Sequence, residues 1–332
     1  MKAVFCTKIP SHIKNVYSEN TVCAIKKYYD LDETIICKKN IRSNPAAAKA
    51  AEVLFSTWGM EHFEKSEIEE YFPNLKYIFY AAGTVQDFAK EFLEKGIKVF
   101  SSSAANAVPV AEYTFAQIIL SNKGMFGAIE KNKLNYWAAN HFCNQNIGNY
   151  HPKIGIAGVG KIGSMVIELL KNIDCEIYYY DPFLPKEKAD ELGIKSMTLQ
   201  EMFKNCDCIS NHLANKDELV GIFNYKLFSL MKPYSTFINT GRGRQVDEKG
   251  LIKAFSECKT RTALLDVTMP EPPHLFSKLR RMKNIVLTPH IAGSSGGEVA
   301  RMGDYMLREA EKVAGGQNTE YEVTLEMLKT MA

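Results

Sequence analysis

Apolar residues in this chain come in short unbroken runs, each followed by a charged stretch in which apolar positions return every three or four residues. Unbroken runs mark strands covered on both faces, and their alternation with helical stretches predicts parallel sheets. In the first hundred residues the predicted strands are 3–6, 34–37, 52–57, 76–82 and 97–101, enough for one small α/β unit. A second series, at 153–157, 176–180, 208–213, 236–240, 263–267 and 285–288, predicts a second doubly wound sheet.

Two helical stretches connect these series. In 110–120, Val110, Ala111, Tyr113, Phe115, Ala116, Ile118, Ile119 and Leu120 cover most of a helix's circumference, so this helix is expected to be buried between domains or between subunits. Near the end, Val299, Met302, Met306, Ala310 and Val313 form one apolar stripe that Gly315 and Gly316 terminate. That helix carries the chain back toward its beginning. The expected organisation is a discontinuous first domain, 1–105 with 298–332, into which a second domain, 106–297, is inserted.

Composition narrows the partners. The chain has 332 residues, 46% hydrophobic and 24% charged, which suits two globular domains. A net charge of +3, with both signs interleaved, does not describe a nucleic-acid surface. Residues 1–14 hold too short an apolar run for a signal-peptide core, and no stretch is apolar for the length of a bilayer; a cytoplasmic location is expected. Cys6, Cys23, Cys37, Cys143, Cys175, Cys206, Cys208 and Cys258 include no C-x-x-C pair and read as buried thiols in a reducing compartment. Cys206 and Cys208 alternate about Asp207 and are expected on one face of a strand. His12, His62, His141 and His151 lack metal-ligand spacing, so no metal is expected.

Candidate chemistry begins after the first strand of the second series. Gly158, Val159, Gly160, Lys161, Ile162 and Gly163 form G-x-G-x-x-G between that strand and a helical stretch. The first glycine permits the turn, the second lets a pyrophosphate approach the backbone, and the third lets the helix pack on the strand; the helix N-terminus supplies N–H groups and partial positive charge. Asp181 ends the next strand, 18 positions after Gly163. An acid there accepts hydrogen bonds from a ribose diol and repels a 2′-phosphate, which favours NAD(H) over NADP(H).

Three later strand ends carry reactive side chains: Arg242 in N-T-G-R-G, Glu271 in L-D-V-T-M-P-E-P, and His290 in T-P-H-I-A-G-S. Carboxyl ends of strands face the ligand crevice of a doubly wound sheet, so the three are expected to converge on the cofactor. Reduction of a 2-oxo acid needs a cation for the carboxylate and carbonyl, which Arg242 offers as a planar fork. It also needs a proton donor for the developing alkoxide, which suits His290, and a carboxylate such as Glu271 on the other ring nitrogen to set the tautomer. His212 reads as packing, His274 as a loop residue, and Trp58, at a strand end, as core or as facing the substrate.

With these motifs the chain resembles the D-isomer-specific 2-hydroxyacid dehydrogenase family along nearly its whole length. The resemblance implies an α/β fold of two doubly wound parallel-sheet domains, a Rossmann NAD-binding domain inserted into a flavodoxin-like substrate domain. It implies catalytic Arg242, Glu271 and His290, with Asp266 approaching the nicotinamide carboxamide and Leu213, Thr240, Gly241 and Gly293 along the cofactor. It also implies a substrate side at Ala82, Gly83 and Asn106, and a homodimer built around helix 110–120. The fuller R-x-G-x-G-x-D pattern of many relatives is replaced here by Tyr80-Ala81-Ala82-Gly83-Thr84-Val85-Gln86-Asp87.

The run L-D-V-T-x-P-E-P is closer to glyoxylate/hydroxypyruvate reductases than to D-lactate enzymes, so hydroxypyruvate and glyoxylate are ranked first. Other readings share the motifs. One is an NAD(H)-sensing protein like the corepressors of the same fold; another is phosphite oxidation, whose enzymes keep the same three residue types. Formate oxidation is disfavoured by Glu271, where formate enzymes carry Gln.

Overall fold

The computed structural model describes residues 1–329. Its strands, in chain order, are β1 (Lys2–Cys6), β2 (Asp30–Ile36), β3 (Val53–Ser56), β4 (Tyr77–Tyr80) and β5 (Lys98–Ser101). They continue with β6 (Lys153–Ala157), β7 (Glu176–Tyr180), β8 (Lys195–Ser196), β9 (Cys208–Asn211), β10 (Thr236–Asn239), β11 (Thr262–Leu265), β12 (Ile285–Leu287) and β13 (Glu322–Val323). The chain divides into two compact units, Met1–Ala107 joined by the segment from Ser294 onward, and Val108–Gly293.

In the first unit the sheet order is β13-β5-β4-β3-β1-β2, parallel except for β13, which runs antiparallel to β5. Strand order 2-1-3-4-5 is the flavodoxin-like arrangement, with its switch point between β1 and β3. Side chains alternate between two cores. Val4, Leu54, Ile78 and Val99 enter the core on one face, while Ala3, Phe5, Val53, Phe55, Phe79 and Phe100 enter the core on the other. Because both faces are buried, these strands are apolar without interruption, and that is the pattern by which the sequence betrays them.

The helix Val299–Ala314 lays Met302, Met306 and Ala310 on the second of these cores, as its stripe predicts, and ends at Gly315. The fully buried Glu309 interrupts that stripe. Its carboxylate takes the Glu320 and Tyr321 N–H groups at 2.8 and 3.0 Å and the Lys312 ammonium at 2.9 Å, so the charge is paired and fixes the start of the tail that forms β13.

In the second unit all seven strands are parallel, in the order β12-β11-β10-β9-β6-β7-β8. This is the doubly wound dinucleotide-binding topology, extended by β12, with its switch point between β6 and β9. Ile154, Ile156, Cys208, Ile238 and Leu264 fill one face; Ala157, Ile209, Phe237, Ala263 and Leu265 fill the other.

Several expectations need correction. The connecting helix runs Ser103–Asn122 rather than 110–120, with Pro109 inside it, and within the single chain Glu112 and Ala116 are exposed. Cys206 and Cys208 pack into opposite cores, because Cys206 caps the preceding helix and only Cys208 lies in β9. The thiols are also not uniformly buried: Cys6, Cys206 and Cys208 are, whereas Cys23 is exposed on the helix Glu19–Ile25. Strand β2 starts four residues early, since its first four residues are mostly acidic and exposed. No helix among the described residues is long and apolar enough to cross a membrane.

Candidate active site

The turn after β6 sits at the switch point of the second unit. Gly158 has φ +92°, and a Cβ there would lie 2.6–2.7 Å from the His212 carbonyl and the Leu213 nitrogen on the loop after β9, so only glycine fits. A Cβ on Gly163 would stand 2.1 Å from the Gly158 oxygen, so close packing of turn and helix demands the third glycine as well. Gly160 is different. Its φ of −75° suits any residue, and no heavy atom lies within 4 Å of where a Cβ would project.

Nothing among the described residues requires glycine at 160, whereas a ligand lying against the backbone would. Gly160 is also the N-cap of the helix Lys161–Leu170 and offers no side-chain cap, leaving first-turn N–H groups for an anion. These residues fit a pyrophosphate. Lys161 is exposed at the first helical position, and Ile162 packs against the core beneath. Asp181, half-buried at the end of β7, ties the turn to its neighbour: Oδ2 accepts the Val159 N–H at 2.8 Å and Oδ1 the Phe183 N–H at 2.9 Å.

Glu271 and His290 come together. The imidazole Nδ1 lies 2.6 Å from Oε1 of Glu271, and both side chains face solvent, 54% and 40% exposed. Arg242 is half-buried in the loop after β10; burial lowers its pKa and the nearby Glu271 carboxylate opposes that shift. The one hydrogen bond of its side chain among the described residues runs from Nη1 to the Gly241 carbonyl at 2.9 Å. Most of the guanidinium fork is therefore uncommitted beside the Glu271–His290 pair, poised for an anionic ligand.

What fixes His290 was not anticipated. The residue adopts φ +55°, a conformation that non-glycine residues avoid, and its N–H donates to the Asp266 carbonyl at 3.0 Å. The buried Asp266 carboxylate then collects the loop's donors: Thr288 Oγ1 at 2.6 Å and the Ile291 N–H at 2.9 Å on Oδ1, and the Ala292 N–H at 2.9 Å on Oδ2. Tyr113 donates to Thr288 at 3.0 Å from the long helix. Strained backbone held by many partners is characteristic of functional loops. The family resemblance implies that Asp266 approaches the cofactor; the structure also makes it the anchor of the histidine loop.

A second missed group is a node of three buried amides. Asn211 Nδ2 donates to Asn239 Oδ1 at 2.9 Å and to Gln245 Oε1 at 2.7 Å. Gln245 Nε2 donates to the carbonyls of Leu213 and Ala214 at 3.2 and 2.8 Å, and Asn211 Oδ1 accepts the Leu213 N–H at 3.0 Å. Asn239 completes the node, accepting from the Gly241 N–H at 3.1 Å and donating to the Arg242 carbonyl at 3.2 Å. One cluster thus shapes both the loop bearing Leu213 and the loop bearing Arg242. Its signal in the sequence was an Asn closing each of two fully buried strands.

Thr240 is buried and pairs with Thr114 at 3.3 Å, while Gly293 is half-buried and ends the second unit. His212 is held through Nε2 by the Ser210 hydroxyl at 2.8 Å, and burial pushes its pKa down to about 4. In the first unit, Ser101 Oγ donates to the Ala82 and Gly83 carbonyls at 3.2 and 2.6 Å. Asn106 Oδ1 accepts the Ser294 N–H at 2.9 Å, and its Nδ2 lies 3.6 Å from where a Cβ of Gly83 would stand. Those three candidates form a cluster of their own. His274 is exposed and makes no side-chain hydrogen bond to Glu271, and no group of three or more His, Cys, Asp or Glu among the described residues is arranged to hold a metal.

The profile described as "D-isomer specific 2-hydroxyacid dehydrogenase, NAD binding domain" matches residues 115–292, so this segment is an NAD-binding domain of that kind. A D-3-phosphoglycerate dehydrogenase of Synechocystis is 31% identical over 201 residues, 60% of this chain and 36% of that one. This chain spans less than half the length of the phosphoglycerate dehydrogenases it matches, 36% here and 44% for that of Methanocaldococcus jannaschii. A glyoxylate reductase of Korarchaeum cryptofilum is 27% identical over 267 residues, 80% of each chain. Among solved structures, the NAD-complexed D-isomer specific 2-hydroxyacid dehydrogenase of Lactobacillus delbrueckii superposes with a TM-score of 0.75 at 20% identity, covering 97% of this chain and all of that one. That likeness establishes the shared two-domain fold.

Proposed function

The chain belongs to the D-isomer specific 2-hydroxyacid dehydrogenase family, and from that premise we propose that it is an NAD(H)-dependent oxidoreductase interconverting a small 2-oxo acid and its D-2-hydroxy acid. Hydroxypyruvate and glyoxylate stand first among substrates, a ranking supported by the L-D-V-T-x-P-E-P run and by the similarity to a glyoxylate reductase. The cofactor, when bound, supplies or receives the hydride at C2.

The protein's part is to bind, orient and move a proton. The turn from Gly158 to Gly163 holds the pyrophosphate, with Lys161 and Ile162 in its second half, and Asp181 favours a ribose diol over a 2′-phosphate. Leu213, Thr240, Gly241, Asp266 and Gly293 line the cofactor's course. Arg242 clamps the substrate carboxylate and polarises the C2 carbonyl, and a bound anion offsets the cost of its burial. Ala82, Gly83 and Asn106 are the substrate-binding candidates of the first unit.

The carrying observation is the 2.6 Å contact between His290 Nδ1 and Glu271. With Nδ1–H committed to the carboxylate, Nε2 is the nitrogen that gives a proton to the C2 oxygen during reduction and takes it back during oxidation. Glu271 holds the ring in place and stabilises its protonated form. A homodimer and a cytoplasmic location complete the proposal.

The test is a spectrophotometric panel of 2-oxo acids, phosphite and formate with NADH or NAD and their phosphorylated counterparts. Rapid NADH oxidation with hydroxypyruvate or glyoxylate is expected. NADH binding without turnover of any panel member would point instead to a sensor of the cofactor.

A further inference from the structure

Tyr113 stands half-buried on the helix Ser103–Asn122, and its hydroxyl lies 3.0 Å from that of Thr288. The neighbouring acid fixes the direction of this contact. Thr288 Oγ1 also lies 2.6 Å from Oδ1 of Asp266, and an ionised carboxylate only accepts, so the single Thr288 proton goes to Asp266. What remains on Thr288 is an acceptor, and Tyr113 must donate to it.

Burial raises the pKa of Tyr113, which keeps its proton in place through the neutral range. Behind it, one turn along the helix, the Gln117 amide bonds the same phenol. The Gln117 Oε1 has no partner among the described residues, which leaves its nitrogen as the donor. Every donor in the row Gln117, Tyr113, Thr288 thus points toward Asp266. That carboxylate is 2% exposed, and its other donors are the Ile291 and Ala292 N–H groups. The row therefore ends where the loop bearing His290 is tied down on both sides, by Thr288 before it and by Ile291 and Ala292 after it.

We propose that Tyr113 and Thr288 are positioning residues for the proton transfer: their aligned hydroxyls orient the Asp266 carboxylate and, through it, the backbone that holds His290. The proposal rests on the dehydrogenase reading given above. Hydrogen bonds in a row polarise one another, so removing the far member weakens the one at the carboxylate. A looser carboxylate lets the loop sample more conformations, and His290 meets the C2 oxygen in a smaller fraction of them. The loss falls on the chemical step, because Arg242 holds the substrate from another loop.

Steady-state reduction of hydroxypyruvate by NADH tests this in the whole chain, with melting temperature recorded for every variant. Tyr113→Phe is expected to lower kcat about three- to tenfold and to leave KM for hydroxypyruvate within about twofold of wild type. Thr288→Val is expected to lower kcat at least as far, whereas Thr288→Ser, which keeps the hydroxyl, should stay within about twofold of wild type. With the threonine hydroxyl gone, Tyr113 has no route to Asp266, so adding Tyr113→Phe to Thr288→Val should cost nothing more. Losses that multiply in the double variant, or an unchanged kcat in Tyr113→Phe, overturn the positioning role while leaving the dehydrogenase reading intact. A wild-type chain that turns over no 2-oxo acid overturns both.

Discussion

The N–H of His290 donates to the carbonyl oxygen of Asp266 at 3.0 Å and thereby holds a histidine in the left-handed region, at φ +55°. The Asp266 carboxylate reinforces that geometry through Thr288, Ile291 and Ala292. Replacing Asp266 by Ala strands these donors in a buried site. The expected cost is about 1–3 kcal/mol of stability, from urea unfolding, and a fall in turnover of about tenfold or more. Retention of both would mean that the loop holds its shape without the carboxylate.

The glycine turn predicts opposite behaviour at two of its positions. Gly163→Ala drives a Cβ into the Gly158 oxygen, with 2.1 Å between them, and is expected to destabilise the fold by roughly 1–3 kcal/mol. Gly160→Ala meets open space, so its melting temperature should match the wild type while NADH affinity drops. Undiminished affinity in Gly160→Ala would argue against a diphosphate resting on that turn.

Gln245→Leu preserves side-chain size but leaves Asn211 Nδ2 one partner short and the Leu213 and Ala214 carbonyls without their amide donor. A loss of about 2–4 kcal/mol is expected in equilibrium unfolding. Because the node also shapes the Arg242 loop, KM for the 2-oxo acid should rise even in the folded fraction. A destabilised variant with unchanged KM would confine the node to a structural role.

His212 gives a pH dependence with a defined sign. Burial lowers its pKa from 6.5 to about 4, so between those values the unfolded chain takes up a proton that the folded chain refuses. Its effect on stability is nil above the unfolded value, grows unfavourably as pH falls, and levels off below about 4. Comparing unfolding of wild type and His212→Gln at several pH values isolates this component, expected to reach ~1–3 kcal/mol near the lower limit. Parallel stability curves for the two proteins would remove His212 as its source.

Much of this architecture is legible because parallel strands buried on both faces leave unbroken apolar runs. Strands β6 and β7 coincide with the predicted 153–157 and 176–180, and the glycine turn lies where the motif puts it. Arg242, Glu271 and His290 were each visible at a strand end, although only the fold shows that residues 19 apart share a hydrogen bond at 2.6 Å. Strands β8 and β13 escaped notice, being two residues long with no pattern of their own. The amide node was equally hidden, since its partners lie 28 and 34 positions apart and polar pairing leaves no periodicity. The left-handed backbone of His290 was hidden too, because histidine does not advertise that conformation as glycine does.

In the proposed mechanism His290, oriented by Glu271, moves the proton. Its most direct test is the steady-state reduction of hydroxypyruvate by NADH in His290→Ala, with NADH binding measured on the same sample by fluorescence titration. The expected result is a fall in kcat/KM of about 10²–10⁴-fold with an NADH Kd within about twofold of wild type. Turnover close to wild type in the variant would contradict it.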